Sequence, residues 1–417
     1  MATLARTRLA GTIVATALCA AAATEAAGQT PPQESVVLNQ QLQLGDVFSH
    51  QTLNVVDAQD QITARTSAQG TSASGSVEGG AILVQSDQEM RGDSTARTDV
   101  VAGGDTWGEV NVVTQAGGNY LAVSAYDADL TANAVQTNAG GLVSAISEVG
   151  DSAARLHAGG DVAASAISNT VALYGEGALL QGDVDQANAA TVRSFSRIQS
   201  QYIPAEAAVT AESIGNAVSA TSVQTSGQDL SIVQSSTGAF VEAEASANAG
   251  NAWDLAGRAR ATANQAVLYN EGGAVVAATD QTNTSFVRAA ALTTAYDYGR
   301  AEAYARGAGN EVSVGDNDIY VEIDNSQFNS GGVDVSATFA GTNGYDVYVG
   351  ADAVGNAVTG YACADCEGYL EAANNQTNEG DVSARATVSV AGSNRAVISG
   401  ANAVGNVATF HVSRPAH

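Results

Sequence analysis

The 417-residue sequence predicts an all-β fold: a β-solenoid, parallel β-helix-like, of about seven repeats of roughly 48 residues behind a signal peptide. Three observations predict it. The first is a small residue followed by Asn and soon by an apolar residue. It is centred on Asn119, Asn169, Asn216, Asn264, Asn310, Asn356 and Asn406, with successive spacings of 50, 47, 48, 46, 46 and 50. The second is a Gln landmark that starts at Gln85 and returns at Gln136, Gln186, Gln234, Gln281, Gln327 and Gln376, each of the latter 17 to 20 residues after an Asn. The third is strict apolar alternation, as in Val241, Ala243, Ala245, Ala247 and Ala249, or Val382, Ala384, Ala386, Val388 and Val390. Period two points alternate side chains in and out of a sheet, whereas a helix would scatter these residues round its axis. Two landmarks in step at a fixed period mean stacked units, none of which buries a core alone.

From the N-terminus, Arg6 and Arg8 precede the apolar run 9–23, and Thr24-Glu25-Ala26-Ala27 offers small residues for cleavage. Residues 1–27 therefore read as a secretory signal peptide. Residues 28–75 read as a leader, a degenerate first repeat or a cap. They open on Gln29-Thr30-Pro31-Pro32, and Leu44, Val47 and Phe48 are placed in the cap. Residues 76–417 form the repeat solenoid. Its last half-unit, 401–413, closes the far end or accepts a partner strand, because end coils expose sheet edges.

Within the rod, equivalent side chains of successive coils lie ~4.8 Å apart, so stacked Asn and Gln amides can hydrogen-bond as ladders. The expectation is that ladders account for the Gln positions. Left-handed turn conformations account for most of the Gly-Asn pairs. A third signal, at Gly250-Asn251, Gly341-Thr342-Asn343 and Gly392-Ser393-Asn394, leaves open whether one repeat makes one large coil or two or three small ones.

Composition narrows the function. There are 16 Arg and no Lys against 43 Asp plus Glu, a net charge of −27. That balance excludes the basic footprint of a nucleic-acid binder and suits a soluble surface protein. Only 5% of residues are aromatic, so the core is narrow and built from Ala, Val, Leu and Ile.

Chemistry is sparse. His50, His157, His411 and His417 neighbour no nucleophile or second metal ligand in sequence. Cys363 and Cys366 lack the further ligands of a zinc site, and an exported chain favours a local disulfide between them, with free thiols as the alternative. The cluster Asp316, Asp318, Glu322 and Asp324 lacks the Gly and Glu of a calcium loop and reads as solvated strand faces. No cofactor, metal site or catalytic residue is nominated, and the chain is read as a non-enzyme. Among the Tyr residues, Tyr296, Tyr298, Tyr345, Tyr348 and Tyr361 are candidates for stacking on sugars.

The signal segment, the lysine-free acidic composition, and repeats such as Ala134-Val135-Gln136-Thr137-Asn138-Ala139-Gly140-Gly141 and Asn375-Gln376-Thr377-Asn378-Glu379-Gly380 resemble the holdfast anchor protein D family of stalked alphaproteobacteria. The Gln-Thr-Asn segments also resemble curlin-type repeats but at a longer period. The holdfast resemblance implies an outer-membrane, cell-surface protein at the cell pole that helps anchor an adhesive holdfast polysaccharide. It implies companion holdfast anchor proteins, one of them resembling the curli-secretion outer-membrane lipoprotein. Possible self-association as a curli-like fibre subunit is the alternative reading, followed by a secreted polysaccharide-active enzyme.

Overall fold

The computed structural model describes residues 35–318, 320–363 and 368–413. The expected signal peptide, residues 29–32, Cys19, Cys366 and His417 lie outside the described residues. Among the described residues there is no helix and there are twenty strands. In chain order they are β1 (Ser35–Gln43), β2 (Val47–Val55), β3 (Ile62–Met90), β4 (Ser94–Ala102), β5 (Asp105–Thr106), β6 (Val110–Asn138) and β7 (Leu142–Gly150). There follow β8 (Arg155–Leu156), β9 (Gly160–Glu176), β10 (Leu179–Asn188), β11 (Thr191–Val223), β12 (Gly227–Ser236), β13 (Phe240–Asn270) and β14 (Ala274–Asn283). The last are β15 (Phe286–Asp316), β16 (Tyr320–Asn329), β17 (Val333–Ala362), β18 (Tyr369–Asn378), β19 (Val382–Val390) and β20 (Ala396–Val412).

The strands pair in parallel, each on the strand one repeat further along, and form one continuous β-solenoid sheet. Asn264 lies in register with Asn310, and Gln281 with Gln327. One repeat is therefore one large coil, which settles the choice between one coil and several. The longest strands bend at corners where pairing skips a residue. One skip falls just before each landmark Asn, as between Thr262↔Ala308 and Asn264↔Asn310.

The skipped positions are Gly118, Ser168, Gly215, Ala263, Gly309, Gly355 and Gly405, all small. At Gly355 an added Cβ would stand 2.3 Å from the Asn378 side-chain oxygen and 2.4 Å from the next coil's carbonyl. The requirement for a small residue is steric.

Alternation does what period two dictates. β13 and β15 bury nearly every second side chain. The core is split into two columns. In the coil made by β13 and β14, Val241, Ala243, Ala245, Leu255 and Ala259 belong to the first. Ala266, Leu268, Val275 and Ala277 belong to the second. Asn264 separates them on one wall and Gln281 on the other. Each coil is thus pinched at a polar waist, and two narrow apolar lobes explain why Ala dominates the core.

The N-terminal stretch enters the same stack: β1 pairs with β3, and β2 with β4. Val47 faces inward there, while Phe48 is 79% exposed on the outer face and covers nothing. Ala401–Ser413 lies in and just after β20, which pairs only with β17 among the described strands.

Candidate functional site

The Asn residues expected at turns instead lie inside strands, buried except for the exposed last one, Asn406, and none has a positive φ. The structure stacks them. Asn119 Nδ2 donates to Asn169 Oδ1 at 2.8 Å, and the same bond repeats from Asn169 to Asn216, Asn216 to Asn264, Asn264 to Asn310, Asn310 to Asn356 and Asn356 to Asn406. The second Nδ2 hydrogen crosses the waist, as from Asn264 to the Thr282 carbonyl at 2.9 Å. Turn chemistry loses here because a corner facing a buried waist needs an amide that satisfies three partners, which a left-handed backbone would not supply.

The Gln column runs the other way. Gln136 Nε2 donates back to Gln88 at 2.8 Å, followed by Gln186 to Gln136, Gln234 to Gln186, Gln281 to Gln234, Gln327 to Gln281 and Gln376 to Gln327. Each also crosses the waist, as from Gln281 to the Glu311 carbonyl. The first landmark was misplaced: Gln88, and not Gln85, lies in register with Gln136, while Gln85 pairs with Asn133. Both residues suit the local Gln-rich pattern, and only the register separates them. These columns are scaffolding, closed to solvent along most of their length.

The groove open to a ligand lies at the corner marked by the third sequence signal. It is a cavity of about 540 Å³ lined by residues that include Tyr202, Trp253, Tyr298, Gly299, Gly344 and Tyr345. A second hollow of about 230 Å³ continues it past Arg300, Asp346 and Arg395. Both Trp residues of the chain sit on this corner, Trp107 53% and Trp253 60% exposed, with Tyr345 54% exposed. The corner carries an aromatic ring on coil after coil. Trp107 stacks on His157 at 4.0 Å, His157 meets Tyr202 edge-on at 6.0 Å, and Trp253 meets Tyr345 at 6.3 Å.

Local sequence explains the shape. A Cβ at Gly299 would stand 2.5 Å from the Trp253 carbonyl and 2.9 Å from its indole. Gly299 therefore lets the indole lie against the next coil. At Gly344 a Cβ would lie 2.2 Å from the Tyr298 ring. Tyr298 turns inward there, only 4% exposed, packs on Phe339 at 4.9 Å, and donates its hydroxyl to Asn394.

Charges frame the rings. Asp105 accepts two hydrogen bonds from Arg155, at 2.7 and 2.8 Å, and pairs with His157 Nε2 at 2.8 Å. The Arg155 bonds, then the His157 bond, hold its carboxyl below the usual range. Arg395 does the same for Asp346 and lies over the Tyr345 ring at 5.6 Å. Burial pushes Asp254 up, against the pull of Arg300 at 3.8 Å. The arrangement offers flat apolar faces beside acceptors and donors, the combination that holds a ring bearing hydroxyl groups.

Of the Tyr candidates, Tyr296 is exposed near this corner and Tyr345 lines the groove. Tyr298 is a core residue. Tyr348 lies under Arg300 at 5.4 Å, and Tyr361 stacks on His411 at 5.7 Å, away from the groove lining. The sequence pattern singles out neither Trp, although Trp253 stands two residues after Gly250-Asn251 of the third signal.

His50 pairs with Asp99 at 2.9 Å. Cys363 is disulfide-bonded and has φ +48°, while Cys366 lies outside the described residues. Among the acidic cluster the solvated reading fails for Asp316, which is fully buried. Its Oδ1 accepts from Asn270 at 3.2 Å and from the Asp318 amide at 3.0 Å, while Oδ2 has no partner. Burial pushes this carboxyl up to about 6. Among the described residues no group of three or more His, Cys, Asp or Glu is placed to hold a metal ion.

Residues 56–332, more than half of the chain, match the family model described as Holdfast attachment protein D. The chain belongs to the holdfast attachment protein D family. No curated protein and no solved structure matches it.

Proposed function

We propose that, as a member of this family, the chain is a non-enzymatic rod that helps anchor an adhesive holdfast polysaccharide to the outer membrane at the cell surface, at the pole. The observation that carries the reading is the aromatic corner. Rings from Trp107 through His157, Tyr202 and Trp253 to Tyr345 recur along the stack. A repetitive polymer meets a repetitive surface there, and weak contacts add by multivalency. Companion anchor proteins, including a curli-secretion-like lipoprotein, would deliver and hold the rod.

The carboxylates fit this role. Three of the carboxylates on the corner pair with an Arg on the next coil, Asp105 with Arg155, Asp254 with Arg300 and Asp346 with Arg395. That limits repulsion within a rod of net charge −27.

The test is an epitope-tagged full-length chain in a deletion strain, labelled on intact cells, compared with the Trp253→Ala/Tyr345→Ala double variant. A polar surface focus, with polysaccharide retained by wild type and shed by the double variant, is the expected result. Label that appears only after permeabilisation overturns the surface placement. Full retention by the double variant overturns the groove.

A further inference from the structure

Two rows of side chains run side by side along the aromatic corner. The first is the ring row. On three successive coils the pairing skips one position, between Ala252↔Tyr298↔Gly344 and Asp254↔Arg300↔Asp346. Trp253 and Tyr345 fill the outer two skipped positions, and Gly299 leaves the middle one without a side chain. The second row lies two residues earlier in each coil, where Asn251, Asp297 and Asn343 are in register and exposed. Residues of both rows line the same groove of about 540 Å³. Successive coils are ~4.8 Å apart, so Asp297 belongs to the coil between the two rings.

The charges of this lining do not balance. The groove and the hollow that continues it carry Asp254, Asp297 and Asp346 against Arg300 and Arg395. Arg300 pairs with Asp254 and Glu302, and Arg395 pairs with Asp346. Both guanidinium groups also lie over Tyr rings, Arg300 on Tyr348 and Arg395 on Tyr345. Asp297 has no cationic partner among the described residues. Its Oδ1 accepts from Asn343 Nδ2 at 3.3 Å, which steadies the carboxylate without neutralising it. The uncompensated charge in the groove is therefore negative, and it lies beside exposed ring faces. A cleft lined by one sign of charge, on a rod of net charge −27, concentrates the opposite sign.

We propose that this groove selects sugar units that carry a free, protonated amine, with Asp297 accepting from the ammonium group while Trp253 and Tyr345 stack against the ring. The inference rests on the reading of the corner as a polysaccharide groove and names the class of sugar it takes. A neutral hydroxyl also satisfies Asp297, but only an ammonium group gains in addition from the negative π faces beside it. An N-acyl group removes that charge. A uronate sets a second carboxylate against Asp297, and both Arg residues of the lining are already paired.

Isothermal titration calorimetry of the full-length exported chain compares short glucosamine oligomers, the same oligomers acetylated at nitrogen, and oligogalacturonate. The free-amine oligomer is expected to bind about two- to fivefold more tightly than its acetylated form, the worth of one solvent-exposed ion pair. The difference shrinks as salt rises. In Asp297→Asn the two oligomers bind alike, and the acetylated one binds as it does to wild type. Trp253→Ala weakens both. Circular dichroism checks that both variants fold. Acetylated or acidic oligomers that bind as tightly as the free amine overturn the proposal. So does an amine preference that persists in Asp297→Asn, which would assign it to the net charge of the rod. If no oligomer binds, or if Trp253→Ala changes nothing, the groove reading itself falls and this inference falls with it.

Discussion

Asn264 and Gln281 stand on opposite walls of one coil, and their amides point in opposite directions along the rod. Asn264 donates onward to Asn310 at 2.8 Å, and Gln281 donates back to Gln234 at 2.6 Å. Each also donates across the waist, to Thr282 and to Glu311. Two antiparallel dipole columns leave little net moment along the axis. Within each column the bonds polarise one another in a setting closed to water.

Removing one interior rung should therefore cost more than removing an end rung. Asn264→Ala leaves Asn216 without its acceptor, and Asn310 and the Thr282 carbonyl without their donor; Asn216 and Asn310 are buried and Thr282 is partly so. Buried unsatisfied groups cost about 1–3 kcal/mol each before relaxation, so a loss of roughly 2–4 kcal/mol is expected. Asn406→Ala, at the last and exposed rung, should cost under about 1 kcal/mol. Urea melts of both variants measure the difference, and equal losses would refute a structural role for the column.

How much of this was legible in the sequence follows from what repeats. The period, the strand alternation and the parallel stack come from Asn, Gln and apolar residues that recur at every coil, so each one was read several times over. The wall on which an amide sits is not periodic information. Local pattern therefore points the Asn residues to turns and fits Gln85 as well as Gln88, which only the register separates. Asp316 was misread because its burial depends on the Asn270 column beneath it, which no local pattern signals. The groove was hidden for a related reason: its rings come from a different residue type on each coil.

Asp316 should make stability fall as pH rises. Its carboxyl titrates near 6 in the folded chain, above its usual 3.8, so the folded state holds the proton more tightly than the unfolded state. At pH below about 4 both states are protonated and there is no penalty. Between about 4 and 6 the unfolded state loses its proton first, and above 6 the full penalty applies, about 3 kcal/mol for a shift near two units. Asp316→Asn should therefore raise the melting temperature at pH 7 and leave it nearly unchanged at pH 3.5. An equal gain at both values would mean that ionisation is not the cause.

Two glycines separate crowding from flexibility. Gly344→Ala places a methyl group 2.2 Å from the Tyr298 ring, which cannot yield without leaving Phe339. Overpacking of this kind costs typically about 1–3 kcal/mol. Gly400→Ala meets nothing within 4 Å and has no positive φ, so it should be neutral or stabilise by about 0.4–1 kcal/mol through the unfolded chain. Thermal melts of the pair, with near-ultraviolet circular dichroism to follow the Tyr298 environment, check both signs.

The corner should respond to ligand length. If each ring contributes roughly 0.5–1.5 kcal/mol of stacking, one substitution weakens a short oligosaccharide only about two- to tenfold. A long polymer spanning Trp107, Tyr202, Trp253 and Tyr345 multiplies these factors, because every contact after the first is intramolecular. Trp253→Ala and Trp107→Ala should each weaken polymer binding by similar factors, and the double variant by about their product. Neither ring is buried in the core, so melting should not change. Fluorescence titration of each single-Trp variant with purified holdfast polysaccharide reads the contacts separately. A response from Trp253 alone would confine the ligand to the 540 Å³ groove, and silence from both would remove the corner from the binding surface.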